Sequence, residues 1–270
     1  MRIGLQTYVC LLSAACHAQQ PATLDSKITS TLTRMTSKDV ATRNTALDDL
    51  VVLIAEGQQL GFDPVYGDVL ATFLKRYPEQ ANRVKLGLIL QMGNDAFIND
   101  KNAPGTYTEH DSEHYAQTIG MVASLDDDRA IPALVGAMTT GGMASAGVGK
   151  YGQKALGPVL SQLNNPDPLV RSTAVSMAIT ILRIKNDRAS QSQILGLIRT
   201  AIRDPEYVLR SSAVSAIENL SDQKQFVSAL QDLMPALQDM SRHDPYLSSF
   251  ANRYPLRERA TKLLEKITRQ

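Results

Sequence analysis

Asp167-Pro168-Leu169-Val170-Arg171-Ser172-Thr173-Ala174-Val175-Ser176 and Asp204-Pro205-Glu206-Tyr207-Val208-Leu209-Arg210-Ser211-Ser212-Ala213-Val214-Ser215 are two copies of one pattern. Setting Arg171 on Arg210 gives a period of 39 residues. Val170, Ala174, Met177, Ala178 and Ile181 then fall on Leu209, Ala213, Ala216, Ile217 and Leu220. Those positions form the apolar stripe of an amphipathic helix. A third copy is centred on Arg257, with Leu256, Ala260, Leu263, Leu264 and Ile267 in the same slots. Weaker copies follow Arg43 (Ala46, Leu50, Leu53) and Arg83 (Leu86, Ile89, Leu90). A period of this length marks stacked units that bury their apolar faces only against one another.

A partner helix precedes each strong copy. Pro132-Ala133-Leu134, Pro158-Val159-Leu160 and Pro235-Ala236-Leu237 begin alike, and Gly196 stands in the same slot. A proline inside a helix removes a backbone bond and bends it, so Pro132, Pro158 and Pro235 predict a repeated bend. Asp-Pro at 167/168 and 204/205 suits a turn that opens a helix, because Asp accepts from free N–H groups and Pro is tolerated in the first turn. Each unit therefore reads as helix, short turn, helix.

Asp-Pro-x-Val-Arg before an apolar helix, with Pro in the preceding helix, resembles HEAT repeats, bacterial HEAT-repeat domain proteins in particular. The resemblance is clearest over 129–220 and extends through 221–268 and 25–92. It implies an all-α, right-handed α-solenoid of about six antiparallel helix pairs. It further implies a non-catalytic scaffold that holds a protein or peptide segment on the concave face lined by the second helices. Asp167, Arg171, Asp204 and Arg210 match the family's structural residues. Three stretches depart from the pattern. The Gly-rich run 141–152 stands where a second helix belongs, 93–112 is a long polar insertion, and 241–255 lengthens the last unit.

Composition agrees with a helical body. Of 270 residues, 43% are apolar and 20% charged, with no Trp, five Phe and nine Tyr, a mix that disfavours β-sandwiches and barrels. Residues 1–18 read as a secretory signal peptide, with Arg2 as the positive region, Ile3 to Ala15 as the apolar region and Ala18 at the cleavage point. The apolar run is too short for a membrane span and Gln6 interrupts it. A second processing route is open, because Leu12-Ser13-Ala14-Ala15-Cys16 is similar to a lipobox, with Ser13 where Leu is usual. The expectation is thus an exported protein, periplasmic or secreted, or one lipid-anchored through Cys16. Residues 19–26 read as a short tether and 27–270 as a single solenoid. Cys10 and Cys16 both lie in the leader, so thiol catalysis by the processed chain is not expected. Without Arg2 the chain carries 27 basic against 27 acidic residues, and no cationic surplus supports nucleic-acid binding.

Few constellations suggest chemistry. His110-Asp111-Ser112-Glu113-His114 matches H-x-x-E-H, which on a helix puts both histidines on one face, where they can reach a zinc ion while Glu113 polarises a water. A metal-dependent hydrolase is therefore the alternative to the scaffold. Its third, acidic ligand is not evident, since no Glu occurs from 115 to 205. Gly147-Val148-Gly149-Lys150 is similar in part to a phosphate loop, but Ala144 and Tyr151 occupy positions that need Gly and Ser or Thr. Its glycines are expected to allow close packing or a mobile loop. His243-Asp244-Pro245 reads as a turn or helix cap, and no cofactor is expected. Phe97, Tyr107, His110 and His114 are the candidate residues for binding a partner beside the 93–112 insertion.

Overall fold

The computed structural model describes residues 23–55, 66–98, 107–140, 142–185 and 187–269. The proposed signal peptide, the lipobox and most of the expected tether lie outside the described residues. The helices are α1 (Leu24–Met35), α2 (Val40–Ile54), α3 (Tyr66–Arg76), α4 (Pro78–Asn94), α5 (Glu109–Ser124), α6 (Ile131–Gly136) and α7 (Gly142–Tyr151), followed by α8 (Gln153–Ser161), α9 (Pro168–Lys185), α10 (Arg188–Ala201), α11 (Tyr207–Ser221), α12 (Lys224–Leu230), α13 (Met234–His243) and α14 (Pro255–Thr268). The chain is an all-α solenoid. Its pairs are α1/α2, α4/α5, α6/α7, α8/α9, α10/α11 and α13/α14, and the second helices α2, α5, α7, α9, α11 and α14 pack successively along one layer.

The repeated stripe is the core. Ala174, Ala178, Ile181, Ala213, Ile217, Leu220, Leu256 and Ala260 are completely buried. Helix α9 joins two core clusters: Ala174, Ala178 and Ile181 face the N-terminal units, whereas Val175, Ile179 and Leu182 face the C-terminal ones. Each of the larger side chains among them, Ile181, Ile217, Leu220 and Leu256, contributes about 1.5–3 kcal/mol relative to exposure, and the alanines between them let the helices of neighbouring units approach.

Arginines tie consecutive units together. Arg43 donates from Nη1 to the Ser37 carbonyl at 2.7 Å and from Nε to the Asp95 carboxylate at 2.7 Å, joining the first unit to the loop after α4. Arg171 donates to the carbonyls of Asn165 and Pro166 and lies 3.7 Å from the carboxylate of Asp204 in the next unit. Arg210 donates to the carbonyls of Asp204 and Pro205 and from Nε to Asp244 at 2.6 Å, again one unit on. Asp167 and Asp204 meanwhile accept from the N–H groups of Leu169 and Glu206 at the following helix starts.

Several expectations are corrected. Helix α1 begins at Leu24, inside the stretch read as a tether, because the Thr23 hydroxyl accepts from the Ser26 N–H and caps it. Pro132 and Pro235 are not mid-helix: each sits in the first turn of its helix, after a 3-10 turn at Asp128–Ala130 or Gln231–Leu233, where a missing N–H costs nothing. Of the three, Pro158 alone lies inside a helix. The copy at Arg83 falls on α4, a first helix, and Leu86 and Leu90 in its stripe are exposed. The run 141–152 is not a loop, because 142–151 forms α7, a second helix of ten residues.

Candidate functional site

A cleft of about 810 Å³ opens between α5 and α7 on the second-helix layer, bounded by Asp48 of α2 and Gly67 of α3. Its α5 wall is the stripe His110, Glu113, His114, Gln117, Gly120 and Ser124, and its α7 wall is Met143, Ala146, Gly147 and Lys150. Both spacings are those of one helix face. The size falls within the range of ordinary ligand sites, and the lining is mostly apolar with polar groups at the ends.

Local sequence positions each wall. A capping box opens α5: the Thr108 hydroxyl accepts from the Asp111 N–H while the Asp111 carboxylate accepts from the Thr108 N–H. Asn44 of α2 also donates to Asp111 at 2.7 Å. Burial works to raise the Asp111 carboxyl, but the bonds from Thr108 and Asn44 outweigh it and hold the group below the usual carboxylate range. Gly147 sets the α5–α7 approach, since a Cβ there would lie 2.9 Å from Ala123 Cβ and 3.2 Å from its Cα. Lys150 closes the far end, donating to the Ser124 and Leu125 carbonyls at 3.1 Å and so capping the C-terminus of α5. From Glu113 to Ser124 the cleft follows α5 for about 16 Å at 1.5 Å per residue.

The histidines are held differently. His114 is nearly buried, with Nδ1 2.9 Å from the His110 carbonyl and Nε2 3.0 Å from Asp48 Oδ1. Both ring nitrogens therefore meet an acceptor, which leaves neither directed at a shared ligand. His110 is exposed, packs edge-on to His114 at 4.2 Å, and lies 3.9 Å from Glu113. Among the described residues no three His, Cys, Asp or Glu side chains are grouped to hold a metal ion.

His110 and His114 thus line the cleft, whereas Phe97 and Tyr107 do not. Those two rings pack on each other at 5.2 Å and against the core. The sequence reading missed Asp48, Gly67, Gly120 and Ala146. The adjacent small residues Ala146 and Gly147, between Met143 and Lys150 on the same helix face, were the available signal. Gly147 and Lys150 lie on α7, in helical rather than phosphate-loop conformation.

Beneath the cleft, Tyr115 of α5 is buried and its phenol is pushed up to about 12, first by burial and then by the neighbouring Asp95 charge, with Thr140 opposing. An unfolded tyrosine ionises near pH 10. Between pH 10 and 12 the folded chain keeps a proton that the unfolded chain releases, so stability falls as pH rises through that window. Relative to Tyr115→Phe, the wild type is expected to lose about 2 kcal/mol by pH 12, read from urea unfolding at stepped pH.

The family model of non-SMC mitotic condensation complex subunit 1 matches residues 134–267. No curated protein sequence matches the chain. The matched stretch runs from α6 to α14, so it includes the α7 wall of the cleft and leaves out the α5 wall. That family is one of HEAT-like helical repeats, and with the stacked pairs of α-helices seen here the chain contains a HEAT-type helical repeat domain.

Proposed function

We propose that the chain is a non-catalytic scaffold of the bacterial cell envelope that holds a protein or peptide segment in the α5–α7 cleft. One observation carries the binding part: the cleft has apolar, small-residue walls, while its most buried polar group, His114, is fully engaged by Asp48 and a backbone carbonyl. Such a surface offers area and shape to a polypeptide rather than a poised reacting group. The match to a HEAT-like family is compatible with this role. The envelope part rests on the leader-like sequence of 1–18. Near-balanced charge implies modest electrostatic steering and modest salt dependence of binding.

A photoreactive residue at position 117 tests the binding part in the native host. Polypeptide adducts that disappear when Ala146→Trp fills the cleft are expected. Adducts unchanged by that substitution overturn the assignment of the site. Intact mass tests the location: a chain starting at Gln19, or at an acylated Cys16, supports export, and an unprocessed chain in the cytoplasmic fraction overturns it.

A further inference from the structure

The segment between α13 and α14 is a braced peg. The Ser248 N–H donates to the Arg253 carbonyl at 2.9 Å, forming an isolated antiparallel bridge. Asn252 takes φ 46°, the left-handed region that Asn tolerates best after Gly. At the base, Tyr246 stacks on Tyr207 of α11 at 3.6 Å, and Arg257 lies 3.7 Å over the Tyr254 ring. The Asp244 carboxylate accepts from the Tyr246 N–H and is itself clamped by Arg210. This bracing presents Phe250 completely exposed, with Leu247 also exposed beside it. A rigid, unburied aromatic forfeits hydrophobic stabilisation in the free chain and is the type of side chain that anchors interfaces.

We propose that the Leu247–Phe250 peg of one copy seats in the α5–α7 cleft of a second copy. The inference rests on reading that cleft as a polypeptide site, and it names the segment that enters. Three features favour a second copy of this chain. The cleft is apolar and too large for one side chain, which suits Leu247 and Phe250 entering together. Charges complement: Arg253, the peg's one charged residue between Pro245 and Pro255, stays 61% exposed while it pairs with Glu258 at 3.5 Å. The cleft's rim carries Asp48 and Glu113, each more than half exposed, whereas Lys150 at the far end is turned onto the Ser124 and Leu125 carbonyls. The peg belongs to the last unit and the cleft to the second and third, and repeat units contact only their neighbours, so a chain does not reach its own cleft. A peg and cleft on different surfaces make a head-to-tail contact, which adds copies in an open series rather than closing a dimer. The contact is small, so association is expected to be weak and concentration-dependent.

Three variants test this on the full chain. Phe250→Ser removes the peg from a fully exposed position, and Ala146→Trp fills the cleft from an exposed position of α7. Gln117→Trp fills it independently from α5, and unchanged thermal melts establish that each variant folds. In sedimentation equilibrium the wild type is expected to grow beyond dimer as concentration rises, and each variant alone to remain monomeric. An equimolar mixture of Phe250→Ser with Ala146→Trp retains one peg and one cleft, so it should form a dimer and nothing larger. A wild type that stays monomeric at high concentration overturns the proposal, as does self-association undiminished in Phe250→Ser. Cross-linking at position 117 in Phe250→Ser then reports separately on the scaffold. Adducts with another polypeptide would keep that reading alive when self-docking has failed.

Discussion

Arg43→Ala is expected to destabilise the protein by about 3–5 kcal/mol, the usual cost of leaving one member of a buried ion pair without its partner. Arg43 and Asp95 are each almost wholly inaccessible, and the guanidinium meets the carboxylate through both Nε and Nη2. Burial already pushes the Asp95 carboxyl above the usual range, and Arg43 is the main influence that opposes the rise. Without Arg43 the carboxylate is desolvated and uncompensated. Protonation relieves it, so the folded variant binds a proton that the unfolded chain has released. Stability of Arg43→Ala should therefore decline as pH rises from the ordinary carboxylate value of 3.8 through the raised one. The penalty should be smallest in acid and full near neutrality. Urea unfolding of wild type, Arg43→Ala and Arg43→Met/Asp95→Leu at several pH values measures this. The double variant removes both charges and should recover most of the loss, since an apolar pair of similar shape incurs no charge desolvation. If it is as unstable as Arg43→Ala, the Ser37 carbonyl and packing around the alkyl chain matter more than the charge pair.

The fold was readable because stacked units repeat their burial pattern. Ala174, Ala213 and Ala260 recur in one slot, and all three are completely buried. The same pattern misled at Arg83, where an arginine and spaced leucines occur on a first helix whose Leu86 and Leu90 stay in solvent. The prolines misled for a different reason: the 3-10 turns ahead of Pro132 and Pro235 interrupt what sequence spacing presents as one helix. The cleft was only half legible. His110, Glu113 and His114 stand out by chemistry, but Gly67, Gly120, Ala146 and Gly147 act through the absence of side chains, which leaves little hydropathy signal. Asp48 enters through a contact 66 residues away in sequence. In the sequence the peg shows only as extra length in 241–255. Its bracing depends on the Tyr207–Tyr246 stack and the Ser248–Arg253 bridge, neither of which any local period announces.

The repeat arginines supply the second large effect and separate position from environment. Arg210 and Arg171 occupy equivalent slots, and both reach back to two carbonyls of their own turn. Their acidic partners differ. Arg210 meets Asp244 at 2.6 Å with both side chains nearly inaccessible, whereas Arg171 stands 3.7 Å from Asp204 with both 18% exposed. Arg210→Ala is accordingly expected to cost about 3–5 kcal/mol, and Arg171→Ala about 1 kcal/mol, the scale of a lost solvent-reachable polar contact. The loss at Arg210 should also be localised. Asp244 ends α13, accepts at its carbonyl from Arg257 Nε at 2.8 Å and braces Tyr246, so it fastens the last helix pair to the rest of the solenoid. Because repeat arrays open unit by unit, amide exchange in Arg210→Ala should accelerate across α13 and α14 while α1 and α2 keep wild-type protection. Uniform acceleration along the whole chain would instead mean that the units open together, and that the arginine series stabilises one cooperative body rather than joining separable ones. The distinction bears on the peg, since a last unit that opens on its own would carry Phe250 away from its braced position and abolish self-association without any change to the cleft.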